Sequence, residues 1–387
     1  MKKKIAILGS TGSIGKKTLS IFSKNISKFK FELLTTNKNT NLLKKQIKKF
    51  KVKNVIVTDK SQFLKIQKEL NNKNVNVFNN FSQFNKIFKN KVDYTMSSIT
   101  GLSGLEPTLN IIKFTKKIAI ANKESIICAW NLILKELKKN NTEFIPIDSE
   151  HFSTWQLLKQ ENTNNVKFIY LTASGGPFLN YNKSQLKKII PQKAINHPKW
   201  SMGKKISVDS ATMMNKVFEV IEAQRIFNIS YKNIKILIHP ESYLHSIVTF
   251  NNGITKFLVH DTNMKIPIFN SIYTNKNAAI ESNKLNIKIM NNLNLTFPNI
   301  KKFPHLTILN KIPKKISLFE TVLISANDEI VNQFLSGKIP YLKIYKILNR
   351  VIKYNKFKKL KKSKPLNLKQ IHRLHNYVRL ITRSYCE

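Results

Sequence analysis

Short apolar runs separated by lysine-rich polar stretches mark the first third of the chain. Ile5-Ala6-Ile7-Leu8 is the first run, and Gly9-Ser10-Thr11-Gly12-Ser13-Ile14-Gly15 follows it directly. Residues 16–24 then carry Leu19 and Phe22 on one side, which predicts a helix. Phe31-Glu32-Leu33-Leu34-Thr35-Thr36 predicts a second strand. Strand, Gly-rich turn, helix, strand is the opening of a doubly wound α/β sheet. Val52–Thr58, Asp93–Ile99, Lys117–Ala121 and Phe144–Ile147 predict further strands, with helical stretches between them. A mixed region reaches about residue 275. Residues 276–312 are Asn-rich and carry Pro298 and Pro304, with Pro313 just beyond, which suggests a connecting arm. From there to residue 387 the periodicity is mostly helical, with Ile324, Ile330, Val331 and Phe334 as core positions. The expected divisions are 1–150, 151–275, 276–312 and 313–387. No internal repeat is visible.

Several segments carry candidate chemistry. A Gly-rich strand-to-helix turn lets backbone N–H groups approach a phosphate at the positive end of a helix. The spacing G-x-x-G-x-x-G is looser than the usual dinucleotide fingerprint, so a plain turn is the competing reading. Downstream of the second strand stands Thr35-Thr36-Asn37-Lys38-Asn39, with no carboxylate for ribose hydroxyls. A cation among amides favours the 2′-phosphate of NADP, unless Lys38 is one more surface lysine. Asp148-Ser149-Glu150 lies where a strand meets a loop; on extended backbone Asp148 and Glu150 share a side. Asn215, Lys216 and Glu219 fall at i, i+1 and i+4 of a predicted helix. Three carboxylates without cysteine make an all-oxygen site for a hard ion such as Mg²⁺ or Mn²⁺, or else solvated surface acids.

Thr172-Ala173-Ser174-Gly175-Gly176-Pro177 offers hydroxyls and a turn able to nest an anion. Ser207 through Lys216 places hydroxyls near a helix start with a lysine one to two turns on. Two capped turns would look the same. Asn196-His197-Pro198-Lys199-Trp200-Ser201-Met202-Gly203 reads as a lid: a polar loop holding a tryptophan beside Pro and Gly. A core tryptophan is the alternative.

Composition changes this picture little. Lys and Arg number 67 against 21 Asp and Glu, giving a formal charge of +46. The excess runs along the whole chain with abundant Asn, Ile and Phe, as A/U-rich codons would produce, and no nucleic-acid motif accompanies it. Hydrophobic residues at 42% exclude a disordered polycation. Cys128 and Cys386 cannot build a disulfide framework or a Cys-rich zinc site, and neither looks like an activated nucleophile, which argues against a semialdehyde-dehydrogenase type of enzyme. No run approaches the roughly 18 apolar residues of a membrane span, and the apolar run after Met1-Lys2-Lys3-Lys4 is too short for a signal core. A cytoplasmic protein with no nucleic-acid or membrane partner is expected.

Taken together, these blocks resemble the 1-deoxy-D-xylulose 5-phosphate reductoisomerase family. The matching segments are residues 9–15, Ala121-Asn122-Lys123-Glu124-Ser125, Pro146 to His151, Ser174 to Phe178, His197 to Gly203, Ser207 to Lys216 with Glu219, His239-Pro240-Glu241-Ser242 and His245-Ser246. The resemblance implies a Rossmann-like NADP-binding domain, an α/β catalytic domain with a lid loop, a connecting arm and a C-terminal helical domain. It implies NADPH- and metal-dependent isomerisation and reduction of a phosphorylated sugar, the committed step of the non-mevalonate isoprenoid pathway, by a homodimer. By resemblance, Asp148, Glu150 and Glu219 hold the metal. Ser174, His197, Ser210, Asn215 and Lys216 contact the substrate's phosphate end, and Lys123 and Ser149 lie near the reacting carbons. Trp200 and Met202 belong to the lid. Thr11, Gly12, Ser13, Ile14, Asn37, Lys38, Asn39, Asn122, Glu124 and Gly203 line the NADPH site. Three departures stand out. Asn37 replaces the usual Gly, Glu241 replaces the usual Gln, and Ser325-Ala326-Asn327-Asp328-Glu329 is a drifted form of the family's block, which leaves the C-terminal packing in question.

Overall fold

The computed structural model describes residues 2–71, 74–273 and 278–387, and the expected division between residues 275 and 276 lies outside them. The chain forms two compact units. The first comprises residues up to Ser125, then Leu132–Asp148 and Met264–Ile280. The second comprises Ile126–Asn131, Ser149–Asn263 and Glu281–Glu387.

The first unit is built on a parallel sheet. Its strands are β1 Lys3–Leu8, β2 Phe29–Thr36, β3 Asn54–Val57, β4 Asn76–Phe78, β5 Tyr94–Ser97, β6 Lys117–Ile120 and β7 Glu143–Pro146. They lie in the order β4-β3-β2-β1-β5-β6-β7. The order reverses direction between β1 and β5, and doubly wound sheets open their ligand crevice at such a point. Buried parallel strands read as continuous apolar runs, and this is why Ile5–Leu8 and Lys117–Ala121 were recognisable. β4 was not, because Asn76-Val77-Phe78 is three residues long and half-buried. The first helix spans Ser13–Phe22, three residues earlier than the periodicity suggested, and buries Leu19 and Phe22. The chain returns to this unit through helix Lys265–Ile272, which packs on Ser13–Phe22 and bonds Ser271 to the Tyr94 hydroxyl at 2.8 Å. No local pattern along the chain marks that return.

The second unit holds a mixed sheet of β8 Val166–Ala173, β9 Ile234–Ile238, β10 Leu244–Phe250 and β11 Thr255–Val259, in the order β11-β10-β8-β9. Helices Ser149–Leu157 and Met214–Phe227 pack against it. The two helices are joined where the buried His151 ring meets the Glu219 carbonyl oxygen at 2.8 Å. The backbone corrects the reading of Asp148-Ser149-Glu150 as extended. Helix begins at Ser149, so Glu150 sits in its first turn. It also corrects the segment Ser207 to Lys216. Ser207 and Ser210 lie inside helix Lys204–Ala211, Met213 turns left-handed at φ 63°, and Lys216 sits in the first turn of the next helix, which starts at Met214.

Helices Leu318–Leu335, Lys343–Lys353 and Leu368–Ser384 close this unit around Ile324, Ile330, Val331 and Phe334. The drifted block is tied into the fold by side-chain bonds. Asn327 donates to Asp209 at 2.7 Å, and Arg379 and Arg383 each donate to Glu329 at 2.9 Å. Buried Arg225, on the helix that carries Glu219, pairs with buried Glu320. Among the described residues no helix is long and apolar enough to cross a membrane.

Glu329 yields a stability prediction. Burial works to raise its pKa, but bonds from Arg383, Gln333 and Arg379 outweigh this and hold it at about 2. Its contribution is therefore complete above the ordinary glutamate value of about 4.3 and lost as pH falls towards 2. Both arginines are partly exposed, which screens the pairs. Glu329→Gln should cost about 1–2 kcal/mol at neutral pH, a few degrees of melting temperature, with the difference from the unmodified protein shrinking in acid. Thermal melts at neutral and acidic pH check this; an unchanged neutral melt would show the pairs to be idle.

Candidate active site

In the first unit the Gly-rich turn is drawn tightly onto β2. Gly9 N–H donates to Thr35 Oγ1 at 2.8 Å, and Ser10 N–H donates to the Thr35 carbonyl at 2.9 Å. The Thr11 and Thr36 hydroxyls share a bond at 2.6 Å. Gln46 Nε2 donates to the Ser10 carbonyl at 2.9 Å. Gly15 is required for this closeness, because a Cβ there would stand 2.3 Å from the Gly9 carbonyl oxygen. Gly12 is the N-cap of helix Ser13–Phe22 and supplies no side-chain cap, and Gly12 and Ser13 are exposed. The helix thus presents unclaimed N–H groups, with Thr11 and Ile14 half-buried beside them.

Asn37, Lys38 and Asn39 extend from the end of β2 and are exposed. Asn37 does not adopt a positive φ, so replacing a glycine there carries no left-handed strain. Its amide donates to Thr58 Oγ1 at 2.8 Å, while Asn39 caps helix Thr40–Phe50. Lys38 lies 3.9 Å from Asp59 and is largely solvated. Asn122 is buried. Its amide donates to the Gly101 carbonyl at 2.8 Å and its Oδ1 accepts from Ser125 N–H at 2.6 Å, capping helix Lys123–Lys139 and bracing the loop after β5. Glu124 follows in the first turn, and Lys123 pairs with Asp148.

Asp148 and Glu150 are two residues apart, so the chain itself keeps their carboxyl groups near one another. One oxygen from each of Asp148, Glu150 and Glu219 lies within 4.8 Å of the other two. Glu219 is buried and the others are half-buried. Buried Lys216 donates to Glu150 at 2.8 Å and to the Thr172 carbonyl, and it pairs with Glu219 as well. Burial alone would lower the Lys216 pKa, but Glu150 and Glu219 outweigh it and raise it. Asn215 donates its amide to Glu219, and Ser149 donates its hydroxyl to Glu150. Lys216 and Asn215 therefore face the carboxylates in this structure.

A second cluster gathers around His197. Its Nε2 and Ser174 Oγ are 2.9 Å apart, and its Nδ1 accepts N–H bonds from Lys199 at 3.1 Å and Trp200 at 3.0 Å. Backbone donors at Nδ1 require the proton on Nε2, which then donates to Ser174. Gly176 (φ 69°) brings the Ser174 turn against Ser210, since a Cβ on it would meet the Ser210 carbonyl oxygen at 2.9 Å. Residues 196–203 form neither helix nor strand; Trp200 and Met202 are half-buried, and exposed Gly203 caps helix Lys204–Ala211. Glu241 bonds Lys199 of this loop at 2.7 Å. Sequence reasoning did not single out Gln46, and it named Thr35 and His151 only as members of longer blocks without their supporting role. Their types are common, and only their long-range bonds distinguish them.

Three family models match in chain order: 1-deoxy-D-xylulose 5-phosphate reductoisomerase over residues 5–130, its C-terminal domain over 144–227, and a further DXP reductoisomerase C-terminal domain over 260–381. The chain is 56% identical over 380 residues to the 1-deoxy-D-xylulose 5-phosphate reductoisomerase of Pelagibacter ubique, covering 98% of each. It is 40% identical over 352 residues to that of Wolbachia pipientis, covering 89% of each. The solved structure of the Zymomonas mobilis enzyme in complex with NADPH superposes with TM-score 0.89 at 29% identity, over 100% of both chains. A DOX-P reductoisomerase in complex with NADPH, fosmidomycin and magnesium gives TM-score 0.90 at 28% identity, over 99% of this chain and 98% of that one.

The His197 geometry makes a prediction about pH. Burial lowers its pKa to about 4, and its hydrogen bonds need the neutral ring. Proton-detected titration of the imidazole should show no protonation through the neutral range, and hence no contribution of His197 to the pH profile there. A ring that titrates near the ordinary value of about 6.5 would contradict the assigned tautomer.

Proposed function

The chain belongs to the 1-deoxy-D-xylulose 5-phosphate reductoisomerase family, and from that premise we propose how its own residues carry the reaction. The enzyme isomerises 1-deoxy-D-xylulose 5-phosphate and reduces the product to 2-C-methyl-D-erythritol 4-phosphate, using NADPH and a divalent metal. The observation that carries the residue assignment is the convergence of three carboxylates, two of them paired with a buried ammonium. Asp148, Glu150 and Glu219 offer only oxygen, which suits Mg²⁺ or Mn²⁺. Lys216 already supplies positive charge to two of them. The open helix N-terminus at Gly12 and Ser13 suits the dinucleotide's phosphates.

Bound there, the cation would polarise the substrate's carbonyl and hydroxyl oxygens, and NADPH would supply the hydride. Ser174, His197, Ser210, Asn215 and Lys216 bind the substrate's phosphate end. Lys123, held by Asp148, and Ser149, held by Glu150, stand near the reacting carbons and orient them. Trp200 and Met202 close over the substrate and exclude water. Thr11, Gly12, Ser13 and Ile14 bind the pyrophosphate, while Asn37, Lys38 and Asn39 receive the 2′-phosphate. Asn122, Glu124 and Gly203 complete the NADPH site, Asn122 by bracing the loop after β5.

We assign NADPH binding to residues 1–150, substrate and metal binding to 151–275, a connecting role to 276–312 and a helical cap to 313–387. A homodimer fits the edge strand β11, where Phe257 is exposed, with Ile254 exposed just before it, and where no strand among the described residues pairs with the outer edge. A cytoplasmic setting without nucleic-acid or membrane partners fits the two free cysteines and the charge spread along the chain. The reaction places the enzyme at the committed step of the non-mevalonate isoprenoid pathway.

Two measurements test the assignment. Glu219→Gln should reduce turnover by at least about 10²-fold, the scale of losing one fixed charge-stabilising group, while NADPH binding followed by fluorescence stays intact. Turnover at the unmodified level with Mg²⁺ would remove Glu219 from the metal site. The unmodified enzyme should prefer NADPH to NADH, and Lys38→Glu should narrow that preference several-fold by repelling the 2′-phosphate. Equal use of the two cofactors before mutation would overturn the role of the 37–39 loop.

A further inference from the structure

The rings of His245 and His260 lie face to face, with centroids 3.7 Å apart and planes 23° from parallel. Both are buried. The register of β10 with β11 breaks at His245: Leu244 pairs with Val259 and Ser246 with Leu258, leaving His245 as an extra residue. Such a bulge releases a side chain from the strict alternation of the pleat and re-aims it. His260 follows β11 and is tethered by its own N–H to the Tyr243 carbonyl at 3.0 Å.

Carbonyl oxygens decide the state of both rings. His245 Nε2 lies 3.0 Å from the His260 carbonyl oxygen, and His260 Nδ1 lies 2.7 Å from that of Asp261. A carbonyl only accepts, so each of these nitrogens carries the proton. Burial lowers the pKa of both rings, and for His245 the neighbouring His260, Lys216 and His239 act in the same direction. The stack is thus a pair of neutral, flat surfaces. Trp200 meets its outer member edge-on, with ring centroids 6.1 Å apart at 65°. His260 Nε2 is buried without a hydrogen-bond partner among the described residues, so the ring acts here through its face and a single bond.

We propose that His260 is a positioning residue: stacked behind His245, it fixes the ring on which Trp200 docks and so sets where the 196–203 loop closes. A lone imidazole on a bulge can rotate; an imidazole clamped between a second ring and a carbonyl has one orientation. A displaced Trp200 would leave the substrate's carbon skeleton less well covered, and small displacements of positioning groups reach the rate. The inference rests on the loop reading given above.

The test compares His260→Ala, His260→Phe, Trp200→Ala and the Trp200→Ala/His260→Ala double variant. For each, kcat, KM for 1-deoxy-D-xylulose 5-phosphate and melting temperature are measured. Protease protection of residues 196–203 by NADPH plus fosmidomycin is followed in parallel. His260→Ala should lower kcat/KM by about tenfold, mainly through KM, and weaken the protection. His260→Phe should restore most of both, because it returns a flat ring. The double variant should be no worse than Trp200→Ala, since both changes remove one docking contact. Unmodified kcat/KM in His260→Ala would overturn the proposal, as would additive effects in the double variant. So would a lowered melting temperature with no rescue by Phe, which would mark His260 as structural. Failure of the loop reading itself looks different: Trp200→Ala would then match the unmodified enzyme. An impaired Trp200→Ala beside an unaffected His260→Ala would sink only the role of His260.

Discussion

Carboxylates withdrawn from water need positive charge at hand, and the second unit is organised around meeting that need. Glu219 is buried, Glu150 half-buried, and Lys216 lies between them, itself buried. An unpaired charge in such a place would cost several kcal/mol, so none of these groups is dispensable alone. The pairing in turn dictates the backbone. Asn215, Lys216 and Glu219 share a helix face only because the left-handed turn at Met213 starts a fresh helix at Met214. That helix is braced by His151 at the Glu219 carbonyl and by the buried Arg225–Glu320 pair. The C-terminal helices therefore act on the site at a distance, by fixing the helix that supplies Glu219 and Lys216.

A different constraint shapes the first unit: close approach of backbone to backbone. Gly15 packs onto Gly9 without room for a methyl group. The threonines at the end of β2 hold the same turn from the other side. The result is a helix N-terminus whose N–H groups stay unclaimed by any side-chain cap. Preorganised donors of this kind bind an anion without having to be gathered at the moment of binding.

The departures from the family pattern are all accommodated locally. Asn37 adopts ordinary backbone and spends its amide on Thr58. Glu241 adds a charge but pairs it with Lys199 on the loop, and that bond holds its pKa below the usual value. Ser325 to Glu329 are tied in by side-chain bonds, among them Asn327 with Asp209 and Glu329 with the arginines of the last helix. The large positive charge has no counterpart in this architecture beyond a lysine-rich surface.

What the sequence determined by itself was whatever depends on neighbours along the chain. Buried parallel strands announced themselves as apolar runs. Glycines stood out because the chain has only ten. The helical spacing of Asn215, Lys216 and Glu219 was legible because i to i+4 is a local relation. The blocks that resemble the reductoisomerase family were legible for the same reason, being contiguous. Short β4, the helical start at Ser149 and the return of helix Lys265–Ile272 to the first unit were not, since local pattern is too weak to specify them. Nor could sequence place Lys216 between two carboxylates, turn the His197 ring towards Ser174, or stack His245 on His260. The long-range partners in those relations, Glu150 with Lys216, Ser174 with His197 and His245 with His260, stand 15 to 66 positions apart and meet through sheet register, a bulge and helix packing, so such contacts exist only after the chain has folded.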